Sequence, residues 1–210
     1  MKEKILKIIN ASTQSEPIYQ LEHEYRIINN NLQRKEFFSV IKSLAINGTD
    51  KEKFVCLTII EFLDLAKESE DVIKANIEFF DFKKDKENIS PLLTLCSMLS
   101  TIWAIDFIKK IINHFKPKSI EYSYYFDIAL RSIVSTIYWK QSINEIKWVM
   151  DNYQNDYIID FIAYFKWKRE ESELEELFQL IDNNVLLNTK LKLKIIDRYV
   201  NNYKKIDLQK

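Results

Sequence analysis

Gly48 is the only glycine among the 210 residues of this chain, and this scarcity restricts the fold more than any other feature. Phosphate-binding loops, dinucleotide-binding turns and the strand–turn–helix elbow of hydrolases each need two or more glycines. Tight β-hairpin turns also favour glycine. The sequence therefore excludes those enzyme classes and predicts an all-α fold whose corners are made by other residues.

The stretch around Gly48 predicts a helical hairpin. Apolar residues recur at spacings of three and four over residues 37–44 and again over residues 54–63, so each helix is expected to have one apolar face. Gly48 is expected to end the first helix with a positive φ. Thr49 and Glu52 are expected to form a capping box at the start of the second. Because the connection is short, the two helices should be antiparallel neighbours.

Helical periodicity continues along the chain, with serine or proline near several predicted helix starts. These signals are Ser69, the pair Ser90 and Pro91, and Ser142. Residues 190–195 alternate with period two, as a strand would, but the helical spacing resumes after them and favours a helix. About a dozen helices are predicted, over residues 2–11, 18–31, 34–46, 50–66, 70–82, 90–100, 102–115, 120–138, 142–152, 155–168, 172–183 and 189–204.

The charge balance argues against a partner held by the overall field of the protein. Lysine plus arginine and aspartate plus glutamate number 31 each, so neither nucleic acid nor an anionic membrane is an expected partner. Partners should instead be recognised by local patches. The uncharged run at residues 89–105 approaches the length of a membrane span, but its serines and threonines favour a buried helix at the centre of the fold.

Domain organisation and compartment follow from composition. No linker rich in proline, glycine or serine interrupts the chain, so a single domain over residues 1–210 is predicted. Cys56 and Cys96 lack the spacing of metal ligands and indicate a reducing, cytoplasmic compartment. No secretory signal is visible in the first residues. No metal or cofactor is expected: His23 is predicted to lie on the surface and His114 at a helix end.

Internal similarity suggests repeated helix pairs. "SMLSTIW" at residues 97–103 is similar to "SIVSTIYW" at residues 132–139, and helices beginning near residues 105, 143 and 174 share their apolar spacing. Amphipathic helices also match one another by chance, so both interpretations stay open. From about Arg34 onward, the pattern resembles HEAT-like and armadillo-like repeat proteins. The resemblance implies an α-solenoid of stacked antiparallel helix pairs, a right-handed superhelix.

The predicted function is that of a non-catalytic protein-binding module. Size, architecture and composition resemble those of HEAT-like bacterial immunity proteins, which implies a protein that binds and neutralises a cognate toxin domain. Aromatic residues and an acidic run in the C-terminal half would anchor and steer the partner, although an acidic run is also typical of a solvated helix face. The predicted partner-binding residues are Tyr124, Trp139, Trp167, Glu170, Glu171, Glu173 and Glu176.

Two alternatives remain from the sequence. One is a general helical-repeat scaffold or regulatory protein. The other is a DNA glycosylase, because Trp103 and Asp106 lie three residues apart and resemble the aromatic residue and catalytic aspartate of glycosylases built from HEAT-like repeats. The balanced net charge argues against that enzyme, which needs a basic surface for the phosphate backbone.

Overall fold

The structure is a computed structural model. It describes residues 1–11, 16–115, 124–140, 147–148, 151–152, 179, 181–183, 189–190, 192–193 and 197. The regular secondary structure in these residues is entirely helical, which confirms the all-α prediction. Residues 190, 192 and 193 are helical, as predicted against the strand alternative. The α-helices are α1 Lys2–Ala11, α2 Glu16–Ile27, α3 Asn31–Asn47, α4 Asp50–Phe62, α5 Glu70–Glu78, α6 Ile89–Leu99, α7 Ile102–Phe115 and α8 Tyr124–Lys140.

The chain divides into two compact units, Met1–Ser132 and Ile133–Lys210. The division falls within α8. The first unit contains α1 to α7 and the first half of α8. The prediction of a single domain stays a prediction, and the helices predicted between residues 142 and 204 fall mostly outside the described residues.

Helix α4 lies at the centre of the first unit. It packs against α1, α2, α3 and α6, and six consecutive residues, from Val55 to Ile60, are buried. The prediction of a single apolar face on this helix is therefore wrong, because neighbours cover it on all sides. The one hydroxyl in the buried run is satisfied locally, since Thr58 Oγ1 donates to the Phe54 carbonyl at 2.8 Å.

The uncharged run at residues 89–105 forms α6 and the start of α7, which confirms the predicted helices over residues 90–100 and 102–115 to within one residue. Helix α6 is buried along most of its length and packs on α4, as expected for the centre of the fold. Ser100 then adopts a left-handed conformation with φ 50° and ends the helix. Helix α7 begins two residues later and packs back on α6. The run therefore forms the buried turn between α6 and α7.

The α3–α4 corner confirms the capping box and corrects the glycine prediction. Glu52 Oε2 accepts from the Thr49 amide at 2.7 Å, and Thr49 Oγ1 accepts from the Glu52 amide at 3.4 Å. Gly48, however, has a φ of −76°, so the predicted positive φ is wrong. A Cβ at position 48 would lie 2.5 Å from the Leu44 carbonyl oxygen and 2.7 Å from Glu52 Cβ. Glycine is required here by lack of space.

Two predicted helix-start signals act differently from expectation. Ser69 precedes α5 at the cap position, but its hydroxyl makes no capping hydrogen bond. Helix α6 begins at Ile89, so Asn88 rather than Ser90 occupies its cap position and Pro91 lies inside the first turn. Proline is tolerated there because the first-turn amides have no partner within the helix.

The first proposed pair of repeats differs in structure. Residues 97–103 contain the end of α6, the corner at Ser100 and the start of α7, whereas residues 132–139 lie within the uninterrupted helix α8. The two segments are therefore not equivalent positions of a repeat. The similar apolar spacing reflects two amphipathic stretches with different surroundings.

Candidate interaction surface

A chain of aromatic rings runs from the core to the surface of the first unit. Phe107 on α7 is only 2% exposed. Its ring meets that of Phe80 edge to face, with centroids 5.2 Å apart, and Phe80 meets Phe82 in the same way at 5.3 Å. Such geometry is the favoured contact between aromatic rings. The segment that follows α5 is thereby fixed onto α7.

The outer half of the chain joins the end of α7 to the start of α8. The His114 imidazole stacks on Phe82 with centroids 3.6 Å apart and an interplanar angle of 12°. Phe115 contacts both Phe82 and Tyr125, at 5.9 and 5.0 Å. Tyr124 packs edge to face on Tyr125 at 5.5 Å and is itself 60% exposed. The series of rings thus ends at an exposed tyrosine.

Three lysines lie over rings of this region. The Nζ atoms of Lys110, Lys86 and Lys74 lie 5.4, 5.3 and 5.1 Å from the ring centroids of Phe82, Tyr125 and Trp103, respectively. At these distances the quadrupole of the ring attracts the ammonium group. These side chains form what we call the aromatic–lysine surface: Lys74, Phe82, Lys86, Trp103, Lys110, His114, Tyr124 and Tyr125.

The segment between α5 and α6 is shaped without glycine. Asp81 Oδ1 accepts from the Lys83 amide at 2.8 Å, and Asp85 Oδ2 accepts from the Asp81 amide at 2.8 Å. These side-chain bonds supplement the backbone turn, in which the Lys84 and Asp85 amides both donate to the Asp81 carbonyl. The hydrogen bond from the Lys83 amide is the main cause that lowers the pKa of Asp81. The two carboxylates are therefore held against the backbone of their own segment.

Tyr125 lies at the junction of three elements. Desolvation raises the pKa of its hydroxyl, and the nearby charges of Tyr124 and Glu87 raise it further. The ring contacts Phe115 on α7, and Lys86 from the segment before α6 lies over it. Tyr125 therefore joins α7, α8 and that segment into one surface.

Among the predicted partner-binding residues, Tyr124 lies on this surface and is exposed, as an anchor should be. Trp139 belongs to α8, but its side chain is not among those described. The rest fall outside the described residues: Trp167, Glu170, Glu171, Glu173 and Glu176. Sequence reasoning missed the contribution of residues 79–86. The cluster of three phenylalanines followed by three lysines in "FFDFKKDK" was the available signal.

Trp103 and Asp106, the two residues of the glycosylase alternative, differ in their exposure to solvent. Asp106 is exposed, whereas the half-buried ring of Trp103 has Lys74 over it. His23 is exposed, as predicted, and His114 is held by its stack on Phe82 at the last turn of α7.

One groove in the described region is bounded by α1, the end of α2 and the start of α3. It has a volume of about 340 Å³, and its walls include Ile8 and Ile27. Its charged side chains, Lys4 and Glu24, pair with each other at 2.5 Å. A groove whose charges are already paired offers a ligand few polar contacts.

The described residues contain no group of three histidine, cysteine, aspartate or glutamate side chains placed to hold a metal. Cys56 and Cys96 are buried, and desolvation raises the pKa of both thiols well above the usual range, which suits apolar core residues. In the same described part, none of the helices has the length and hydropathy needed to cross a bilayer. Comparisons of the chain with family models, curated proteins and solved structures give no match.

Proposed function

We propose that this protein is a non-catalytic protein-binding module and that its aromatic–lysine surface contacts the partner. The observation that carries the proposal is the exposed aromatic ring of Tyr124 on that surface, which is 60% exposed. Large exposed rings cost free energy in water unless a partner covers them. Aromatic residues also provide most of the binding energy in many protein interfaces.

The support beneath this ring strengthens the proposal. Tyr124 rests on Tyr125, which rests on Phe115, and the series continues through Phe82 and Phe80 to the buried Phe107. A ring held in place before binding loses little conformational entropy when a partner packs on it. The surface is thus suited to act as a preorganised anchor.

The finer architecture and partner are also proposals. The α3–α4 and α6–α7 pairs each have a two-residue connection and pack on one another, which supports an arrangement of stacked antiparallel helix pairs. The resemblance to HEAT-like immunity proteins makes a toxin domain the first partner to test. A scaffold or regulatory role is the alternative when the partner is not a toxin.

Copurification from the native host, followed by mass spectrometry, tests the proposal. The Tyr124→Ala variant should lose a stoichiometric partner that the wild type retains. Tyr19→Ala is the matched control, because Tyr19 is 61% exposed and also packs edge to face on one ring, that of Phe62. The control should keep the partner.

Equal recovery of the partner with both variants would contradict the assignment of the surface. The toxin proposal has its own test: a partner with toxic activity should lose that activity on addition of the wild-type protein. The Tyr124→Ala variant should protect about tenfold less well if the ring is an anchor. A partner without toxic activity would contradict the toxin proposal and favour the scaffold or regulatory role.

A further inference from the structure

We infer that the aromatic–lysine surface recognises an extended acidic peptide segment of the partner, whose carboxylates pair with Lys74, Lys86 and Lys110. Apolar side chains of the same segment would pack against the exposed ring of Tyr124. This inference rests on the proposed function, since it names the chemistry of the protein partner. It is carried by the three ammonium groups placed over rings.

The position of these ammonium groups favours pairing with carboxylates. A free lysine side chain loses rotamer entropy when it forms an ion pair, and this loss cancels much of the gain at an exposed site. Each of these three lysines is already held over a ring while its ammonium group stays accessible; the Lys74 side chain, for example, is 54% exposed. Part of the ordering cost is therefore met before the partner arrives.

Asp81 and Asp85, in the segment before α6, compete little with an incoming carboxylate. The Asp81 and Asp85 side chains are bonded to amides of their own segment. Glu70 pairs with Lys74 at 3.0 Å in an exposed pair one helical turn apart, which a partner carboxylate can replace at small cost. Lys83 and Lys84 are exposed beside the surface and add to its positive charge.

The ring faces favour a peptide over a single-stranded nucleic acid. Proteins bind such strands by letting the bases stack on open aromatic faces. On this surface His114 already occupies a face of Phe82. Lys86 and Lys74 lie over Tyr125 and Trp103. A nucleic acid would also need a wider basic field than a chain with 31 basic and 31 acidic residues provides. Carboxylates, in contrast, can pair with the lysine ammonium groups in their present positions over the rings.

Fluorescence anisotropy tests the inference with a labelled peptide of repeated Glu-Glu-Phe units. The same peptide with glutamine in place of glutamate is the probe control. The wild-type protein should bind the acidic peptide more tightly than the glutamine peptide, and salt should weaken that binding. The triple variant Lys74→Gln, Lys86→Gln, Lys110→Gln should raise its Kd about tenfold, because three exposed ion pairs are removed together.

A charge-matched variant provides the protein control. Lys2→Gln, Lys7→Gln, Lys67→Gln removes the same number of charges from exposed positions outside the surface, and it should leave the Kd within about twofold. The triple Lys→Arg variant at positions 74, 86 and 110 should bind as the wild type does. All of these variants alter exposed side chains, and circular dichroism checks that each is folded.

Three results would overturn the inference: equal binding of the two peptides, an equal loss in the charge-matched variant, or tighter binding of labelled oligothymidylate than of the acidic peptide. The copurification experiment separates this failure from failure of the proposed function. A host partner that depends on Tyr124 while the acidic peptide does not bind would leave the function standing and remove the inference. Binding of the acidic peptide without a Tyr124-dependent host partner would support the peptide chemistry and contradict the proposed function.

Discussion

The α3–α4 corner and the α6–α7 corner each span two residues, yet they solve the turn in opposite ways. Gly48 has an ordinary φ of −76°, while Ser100 has the left-handed φ of 50° that glycine usually occupies. The first corner lacks room for a Cβ, since the Leu44 carbonyl oxygen and Glu52 occupy that space. The second has room for a side chain and uses it, because Ser100 Oγ donates to the Ser97 carbonyl at 2.6 Å.

This difference teaches that the scarcity of glycine does not mean a scarcity of unusual backbone. Asp64, which follows α4, also has a left-handed φ of 56°. Short polar side chains tolerate that region better than other residues do. The chain therefore makes its left-handed positions from serine and aspartate and keeps its one glycine for a close approach.

Gly48→Ala should have the largest effect in this comparison. The new Cβ would contact a backbone carbonyl and Glu52, both held in place by the helix and the capping box, so the corner must open. We expect the free energy of unfolding to fall by about 2 kcal/mol, measured by urea denaturation. Unchanged stability would show that the corner has room and would remove the distinction from Ser100.

Ser100→Ala and Ser100→Gly separate the hydrogen bond from the backbone strain. Alanine loses the bond to Ser97 and keeps the left-handed strain, so we expect a loss of about 1 kcal/mol in the free energy of unfolding. Glycine also loses the bond but relieves the strain, and the two effects of about 1 kcal/mol each should nearly cancel. Equal losses in both variants, measured by urea denaturation, would mean that the left-handed position costs nothing.

The last turn of α4 adds a pH-dependent case, at Glu61. Desolvation raises the pKa of Glu61 from 4.5 to about 7, so the folded state binds its proton more tightly than the unfolded state does. Stability from this group is therefore present below pH 4.5 and is lost as the pH rises to about 7. Solvent screening of this half-buried carboxyl limits the loss to about 1 kcal/mol or less.

Glu61→Gln should remove that slope. Chemical denaturation of wild type and variant at a series of pH values would show a stability difference in favour of glutamine that grows from pH 4.5 to about 7. Glu78→Gln, at an exposed position of α5, provides the control. Parallel pH profiles for wild type and Glu61→Gln would exclude Glu61 as the source.

Ser69→Ala should change the free energy of unfolding least. It should raise that free energy, whereas the loss of a helix cap lowers it. Ser69 Oγ is buried without a hydrogen-bond partner in the described structure, so its removal should stabilise the protein by about 0.5 kcal/mol. Thr49→Ala is the matched control and should cost about 1 kcal/mol, since Thr49 is part of a complete capping box. A loss of stability in Ser69→Ala, measured by thermal unfolding, would show that this hydroxyl has a partner.

Local signals predicted the helices of the first unit well, while the interaction surface needed contacts distant in sequence. The boundaries of α1 and α7 were predicted as the structure has them, because apolar spacing and end signals act within a few residues. Tyr124 was predicted as a partner-binding residue from its aromatic neighbourhood, and that role stays a prediction. Phe82 and Lys86 were missed, because their importance depends on α7 and α8, which follow later in the chain and pack against them.

The sequence by itself determined that the described chain is helical and that Thr49 and Glu52 form a capping box, since both depend on interactions within one or two turns. Tertiary structure alone decided that α4 is buried on all sides, because burial depends on which helices pack around it. It also decided what Gly48 is for. The space left for a Cβ is set by the Leu44 carbonyl oxygen and Glu52, four residues away on either side, and only the three-dimensional path of the corner shows how closely they approach.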